Sequence, residues 1–186
     1  DLVRSRGLGD VYKRQVLVPY NYEAMYALGN NLLVKDKRDL LLLINHCENL
    51  GLDAMMMGTV LAWTTEAFEE GRINLDDTLG IKPVWGDAEA YIKIIDNVVE
   101  MKNKFYSRLA QGVVVASEKY GGRGYAMALG SNGMVGYLTG YGAIVGPLVG
   151  ARHSHLSNSG YSIDQKIMNQ PMSIEQIVDF LIDQEE

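Results

Sequence analysis

Two histidines, His153 and His155, stand two residues apart directly after a long glycine-rich run without charge. In a β-strand this spacing places both rings on one face, whereas in a loop it has no such meaning. A metal site here would need a third ligand, and Cys47 or His46 could serve only if the fold brings them close. On spacing alone a polar loop is favoured. The position behind an uncharged run instead indicates buried imidazoles, which typically hold a hydrogen bond or move a proton.

A second cluster, E-N-L-G-L-D, runs from Glu48 to Asp53. As plain structure, Gly51 ends one helix in a left-handed conformation and Asp53 caps the next. As a site, the same helix–glycine–helix corner presents two carboxylates together. Carboxylates in such a corner can accept paired N–H bonds from an aminopyrimidine ring, as in guanine or a pterin. From the residues alone, the structural interpretation is favoured.

Other candidates are weaker. Asn21, Tyr22 and Glu23 combine amide, aromatic and carboxylate groups, which line a pocket or form a surface loop with equal ease. Cys47 lies on the apolar stripe of a helix, which is typical of a buried structural thiol. The sequence contains no P-loop and no G-x-S-x-G motif. The glycines at 121–124 are not a dinucleotide-binding fingerprint, because they follow a predicted helix and not a strand.

The elements that must position these residues are predicted to be helices, so the fold class is mainly α. Asp36 caps a helix to Leu50, Asp53 one to about Glu70, and Asp87 a third. After a break near Asn103 a fourth helix ends before Gly121. Apolar residues recur at helical spacing in each. A loop is predicted between the second and third helices, over 73–85.

The segment from Gly122 to Gly150 is rich in glycine and uncharged after Arg123. Its most apolar part, 134–150, is shorter than the roughly 20 residues that a membrane-spanning helix needs. We therefore predict a buried, glycine-rich connection and no membrane span.

Composition limits the alternatives. The 186 residues carry 17 Lys+Arg and 23 Asp+Glu, a net charge of -6, and 47% of them are apolar, as expected for a folded domain or a piece of a larger protein. The acidic balance disfavours nucleic acid. A single cysteine excludes an internal disulfide, a four-cysteine zinc site and an iron–sulfur cluster held by four cysteines of this chain.

Residues 1–15 are predicted to be a sequencing artefact. D-V-Y-K-R-Q at 10–15 is the direct translation of the end of a transposase sequencing adapter, and the residues before it lack apolar periodicity. The chain has no initiator Met and ends within a predicted helix, so we expect an internal fragment of a longer gene.

Several segments occur in a fixed order: Y-E-A-M-Y-A-L-G-N-N at 22–31, N-H-C-E-N-L-G-L-D at 45–53, E-A-F-E-E-G at 66–71, W-G-D-A-E-A at 85–90, L-A-Q-G at 109–112 and R-H-S-H-L-S-N at 152–158. Together they resemble the tungsten- or molybdenum-containing aldehyde ferredoxin oxidoreductase family over 16–186. The resemblance implies part of that family's helical C-terminal half. Residues 16–120 would form one helical domain, and 121–186 would hold the glycine-rich segment and the truncated start of another.

The resemblance also implies site residues. The family's pterin motif, D-x-x-G-L-D or D-x-x-G-L-C, matches Glu48, Gly51, Leu52 and Asp53, which would hold one pterin of a tungsten or molybdenum bis-pterin cofactor. His155 matches a histidine that is thought to move protons at the metal. Asn21 would line the substrate pocket, where aldehyde-oxidising members have a glutamate.

The family's [4Fe–4S] cysteines match no residue of this chain. The resemblance therefore implies that this chain supplies no metal ligand and that it is inactive alone. The implied function of the complete protein is oxidation of aldehydes to carboxylic acids, with electrons passing to ferredoxin or another electron-transfer protein. A small-molecule substrate, a homodimer or larger complex, and a cytoplasmic location are expected. Two alternatives remain open: another substrate, as in an aryl acyl-thioester reductase, or a helical binding module without catalysis.

Overall fold

The computed structural model describes residues 4–6, 17–19, 21–134, 139–150 and 160–183, and it is mainly helical. The helices are α1 (Tyr22–Leu28), α2 (Lys37–Asn49), α3 (Ala54–Glu69), α4 (Ala88–Val99), α5 (Lys104–Leu109), α6 (Val113–Tyr120), α7 (Tyr141–Val149), α8 (Tyr161–Asn169) and α9 (Ile174–Asp183). Short 3-10 helices lie at Asn30–Leu32 and Arg123–Tyr125. Among these helices, none has the length and apolarity that crossing a bilayer requires.

Two antiparallel strand pairs complete the description. β1 (Arg4–Arg6) pairs with β2 (Leu17–Pro19), with Ser5 opposite Val18. β3 (Ala128–Leu129) pairs with β4 (Asn132–Gly133) in a tight hairpin. The assignment of 1–15 to a sequencing artefact stays a prediction.

Side-chain caps start the helices where the sequence predicts. The carboxylates of Asp36 and Asp53 each accept two backbone N–H groups from the first turn of the helix that follows. The side chains of Asp87 and Asn103 each accept one, at the starts of α4 and α5. These bonds satisfy donors that have no partner inside the helix. Because each cap acts within three residues, it is readable from sequence.

Helix α3 lies at the centre of the main helical cluster and contacts α1, α2, α4 and α6. The sequence predicts a single apolar stripe, but burial extends around the whole helix and includes Trp63, Thr64 and Thr65. The two threonine hydroxyls bond to carbonyls one turn earlier, so their burial leaves no unpaired donor. A helix that is buried all round is a core element.

The loop predicted at 73–85 is present, and polar bonds hold it on α5. The Asn103 side chain donates to the Asp77 carbonyl at 2.7 Å, and the buried Tyr106 hydroxyl donates to the Thr78 carbonyl at 2.9 Å. The fourth predicted helix is two helices, α5 and α6. They are separated at Gly112, whose φ of 98° lies outside the helical region.

The glycine-rich segment contains the β3–β4 hairpin and α7, so it is more regular than a connection. Helix α7 buries only one side, with Gly142, Ala143, Gly146 and Pro147. Tyr141, Ile144, Leu148 and Val149 are exposed on the other. The small residues allow α7 to approach α8 closely, while the large apolar ones face outward.

One prediction concerns the contact between α1 and α3. A Cβ on Gly58 would lie 2.5 Å from the Ala27 carbonyl oxygen and 2.8 Å from its Cβ, atoms that cannot move without displacing α1. Alanine improves helix propensity by at most about 1 kcal/mol, whereas overpacking costs about 1 to 3 kcal/mol. Gly58→Ala should therefore lower the urea midpoint measured by circular dichroism.

The matched control is Gly124→Ala. No atom lies within 4 Å of a Cβ at Gly124, which has no positive φ, so the urea midpoint should stay within error of the parent. Equal midpoints for the two variants would show that α1 and α3 are not in backbone contact.

Candidate functional site

The corner between α2 and α3 is built by backbone geometry. Gly51 has φ of 67°; its N–H donates to the Glu48 carbonyl at 3.1 Å, and the Leu52 N–H donates to the Cys47 carbonyl at 2.9 Å. These two bonds form a Schellman motif, which closes α2 and turns the chain. Glycine is favoured at this position because a side chain strains a positive φ.

Asp53 uses only half of its carboxylate for the cap. Its Oδ1 accepts from the N–H of Met55 at 2.8 Å and of Met56 at 3.0 Å. Within the described residues, Oδ2 has no hydrogen bond, and Asp53 and Glu48 are both exposed. The corner therefore offers carboxylate oxygens on its outer side, which can accept bonds from N–H donors.

A cleft of about 400 Å³ adjoins Asp53. Its walls are largely apolar, from Met56, Met57 and Val60 of α3 and from residues at the ends of α4 and α5. Gln111 lies at its edge and donates to the Ser107 carbonyl at 2.8 Å, which leaves its own carbonyl oxygen as an acceptor. An apolar cleft edged by acceptors suits a flat molecule that carries N–H groups.

Cys47 is buried beneath this corner, as the sequence predicts. Burial raises the pKa of its thiol from 9.0 to about 12, and the negative charges of Glu48 and Asp53 add to the effect. The thiolate is the form that binds metals and attacks electrophiles. Cys47 is therefore a structural residue.

His46 supports the helix packing. Its Nε2 lies 2.7 Å from Asp96 Oδ1 and joins α2 to α4. In the part of the chain that the structure describes, no three His, Cys, Asp or Glu side chains are grouped to hold a metal ion. A role for His46 or Cys47 as a third ligand beside His153 and His155 has no support in these contacts.

The remaining predicted site residues lie apart from the corner or outside the description. Asn21 is exposed and caps α1, with its Oδ1 accepting from Ala24 N–H at 2.8 Å, and it does not line the cleft. His153 and His155 lie outside the described residues. The roles of Asn21 and His155 stay predictions.

Sequence reasoning missed one buried carboxylate, Asp164 on α8. It accepts three hydrogen bonds from residues 139–143, which precede and begin α7. No local pattern marks this residue, since its partners lie more than 20 positions away. Only the approach of α8 to α7 distinguishes it from the exposed polar residues around it.

The comparisons with known proteins agree with this helical architecture. The family model for aldehyde ferredoxin oxidoreductase, domains 2 and 3, matches residues 7–185. Nearly the whole chain thus matches a model of domains 2 and 3 from one class of oxidoreductases. The chain belongs to the aldehyde ferredoxin oxidoreductase family.

Three relatives are similar over about half of the chain. A tungsten-containing aldehyde ferredoxin oxidoreductase of Pyrococcus furiosus is 34% identical over 102 residues, 54% of this chain and 16% of the relative. One of Thermococcus kodakarensis is 32% identical over 110 residues, 58% of this chain and 18% of the relative. An aliphatic sulfonate oxidoreductase, WOR-like subunit, of P. furiosus is 30% identical over 108 residues, 58% of this chain and 17% of the relative. The matches span less than a fifth of each relative.

The raised pKa of Cys47 gives a pH prediction. At pH 8 the folded chain should hold roughly a thousandfold less thiolate than an unfolded one. The rate at which iodoacetamide alkylates Cys47 in the folded chain should be correspondingly low, and it should still increase with pH above pH 10. In urea the alkylation rate should stop increasing above about pH 9. If the alkylation rate of the folded chain stops increasing at the same pH as in urea, the thiol is not buried.

The same shift predicts alkaline destabilisation. Since the folded pKa is raised, the contribution of Cys47 to stability is complete below pH 9 and is lost between pH 9 and 12. Cys47→Ala removes this titration. Its urea midpoint should be lower than that of the parent at pH 7 and should fall less steeply above pH 9.

Proposed function

We propose that the complete protein is a tungsten–pterin oxidoreductase and that this chain supplies one wall of its cofactor site. The observation that carries the proposal is the corner at 48–53, where Asp53 has a carboxylate oxygen free of the helix cap. The family match over 7–185 and two tungsten-containing relatives support it.

The residues of the corner fit a pterin. A pterin ring is flat and carries an amino group and a ring N–H, which need acceptors. Asp53 Oδ2 and the exposed Glu48 carboxylate supply acceptors, and the adjoining cleft supplies apolar surface. Gly51 carries no side chain, and a Cβ built there would have no neighbour within 4 Å, so the outer side of the turn is open.

When bound, the tungsten or molybdenum bis-pterin supplies two-electron, oxygen-transfer chemistry, and a [4Fe–4S] cluster carries electrons onward one at a time. In this proposal Glu48, Gly51, Leu52 and Asp53 hold and orient one pterin. His155 holds and moves a proton near the reacting centre, a role to which imidazole is suited near neutral pH. The single cysteine of this chain is buried, so the cluster's ligands come from outside it.

The proposed reaction is oxidation of an aldehyde to a carboxylic acid, with ferredoxin or a similar protein as the electron acceptor. Asn21 favours a second candidate, a member that acts on another substrate such as an aryl acyl thioester. Its amide cannot take up a proton as the glutamate of aldehyde-oxidising members can. The sulfonate oxidoreductase relative supports substrate variety within the family. Assays of aldehyde oxidation and aryl-thioester reduction by the complete protein distinguish the two.

The substitution Asp53→Asn tests the proposed cofactor contact while it keeps the helix cap. Asparagine caps a helix about as well as aspartate, so Oδ1 can still accept from Met55 and Met56. The second oxygen becomes an NH₂ group, which would face the N–H donors of the ring. In the complete protein, tungsten and pterin content at limiting cofactor should fall at least about tenfold, since a hydrogen bond to a charged group stabilises by roughly 1.5 to 3 kcal/mol.

Asp36→Asn is the matched control. Asp36 caps α2 through Oδ1 with the same two-bond geometry, and it is exposed as Asp53 is. Both variants should keep the parent urea midpoint, and Asp36→Asn should keep the parent metal content. If Asp53→Asn also keeps it, Asp53 is only a cap and the view of this region as a helical binding module is favoured.

A further inference from the structure

The turn that ends α4 is a Schellman motif with an unusual residue in it. The Met101 N–H donates to the Val98 carbonyl at 3.1 Å. The Lys102 N–H donates to the Asn97 carbonyl at 3.2 Å, which completes the motif. The turn needs a left-handed backbone at Met101, whose φ is 47°. A side chain strains that conformation, so glycine is the usual residue there.

The two helices before α4 end with the same pair of backbone bonds, and both use glycine. Gly51 after α2 has φ of 67°, and Gly71 after α3 has φ of 69°. Methionine at the third turn is therefore the less favourable choice for the backbone. A strained residue persists where packing or function requires its side chain. Packing within the described chain does not require this one, since Met101 is 58% exposed.

Met101 lines the cleft beside Asp53. Other residues that line this cleft are buried, among them Met57, Val98 and Leu109, whereas Met101 is open to solvent. A ligand in the cleft would cover it. Because a thioether makes favourable contacts with aromatic rings, an exposed methionine at this place matches a flat aromatic ligand.

Gln111 lines the same cleft, and hydrogen bonding decides which end of its amide is nitrogen. Only the NH₂ group can donate to a carbonyl, so the 2.8 Å bond to the Ser107 carbonyl is made by Nε2. The amide oxygen keeps its capacity to accept. An acceptor beside an apolar wall suits a ring that carries N–H groups.

We propose that Met101 and Gln111 are further binding residues for the pterin: Met101 contacts its ring, and Gln111 accepts one of its N–H groups. The proposal rests on the function proposed for the corner at 48–53 and extends that site across the cleft to the ends of α4 and α5. The strain at Met101 is then explained by a contact that forms only when the cofactor is bound.

The substitution Met101→Gly separates binding from stability. Glycine relieves the left-handed strain, so the urea midpoint of the complete protein should equal or exceed that of the parent. The thioether contact is lost, so tungsten and pterin content at limiting cofactor should fall about threefold. A methionine with only a structural role would leave the content at the parent value, and that result would remove Met101 from the site.

The matched control is Leu33→Gly. Leu33 has φ of 57° and is 55% exposed, but it does not line the cleft. Its substitution should likewise leave the urea midpoint equal to or above that of the parent, and the tungsten and pterin content should not change. If Met101→Gly lowers the urea midpoint, Met101→Asn replaces it, because asparagine also tolerates the left-handed conformation. The same loss of cofactor is then expected at the parent midpoint.

The substitution Gln111→Met tests the second contact. Methionine keeps the length of the side chain and removes the acceptor, so tungsten and pterin content should fall about threefold or more. Gln165→Met is the control. Gln165 is exposed on α8, its Nε2 donates to the Tyr161 hydroxyl at 2.9 Å, and it does not line the cleft, so this variant should keep the parent content.

Comparison with Asp53→Asn distinguishes failure of this proposal from failure of the proposed function. If Met101→Gly and Gln111→Met keep the parent content while Asp53→Asn loses it, the two residues do not bind the cofactor, and the function proposed for the corner stands. If Asp53→Asn keeps the content as well, the proposed function fails, and the contacts of Met101 and Gln111 with a pterin fail with it.

Discussion

The burial of α3 on all sides is the constraint on which the rest of the described helical cluster depends. Four α-helices contact it, and at Gly58 the backbone of α1 lies against it with no room for a side chain. Trp63 extends this packing, because its indole N–H donates to the Gly122 carbonyl at 3.3 Å and links α3 to the glycine-rich region. A helix held so closely cannot rotate, so the direction of its first turn is fixed.

That fixed first turn leaves one oxygen of the Asp53 carboxylate available for the proposed cofactor contact. The cap requires one oxygen of Asp53, and the Schellman turn at Gly51 places the whole group on the outside of the corner. The buried thiol of Cys47 and the His46–Asp96 hydrogen bond keep the end of α2 in place behind it. A rigid corner with an unused acceptor is preorganised for a ligand, whether that ligand is the proposed pterin or another ring with N–H donors.

At the α7–α8 contact, too, a carboxylate fixes the start of a helix, but the carboxylate comes from a distant part of the chain. At the α2–α3 corner, local bonds from neighbouring residues fix a helix start, whereas α7 depends on Asp164 from a distant helix. Glycines at 140, 142 and 160 allow the backbones to meet, and a buried carboxylate replaces the missing local cap. In both places a carboxylate holds a helix N-terminus.

The sequence by itself determined the mainly helical class, the helix starts at Asp36, Asp53 and Asp87, and the Gly51 turn. Each of these depends on bonds between residues at most five apart, which leave a local pattern. The ordered segments also identified the family. Only the tertiary structure decided that α3 is buried all round and that Asp164 caps α7. Those features depend on contacts between distant segments, and a helical sequence does not encode which of its faces another helix will cover.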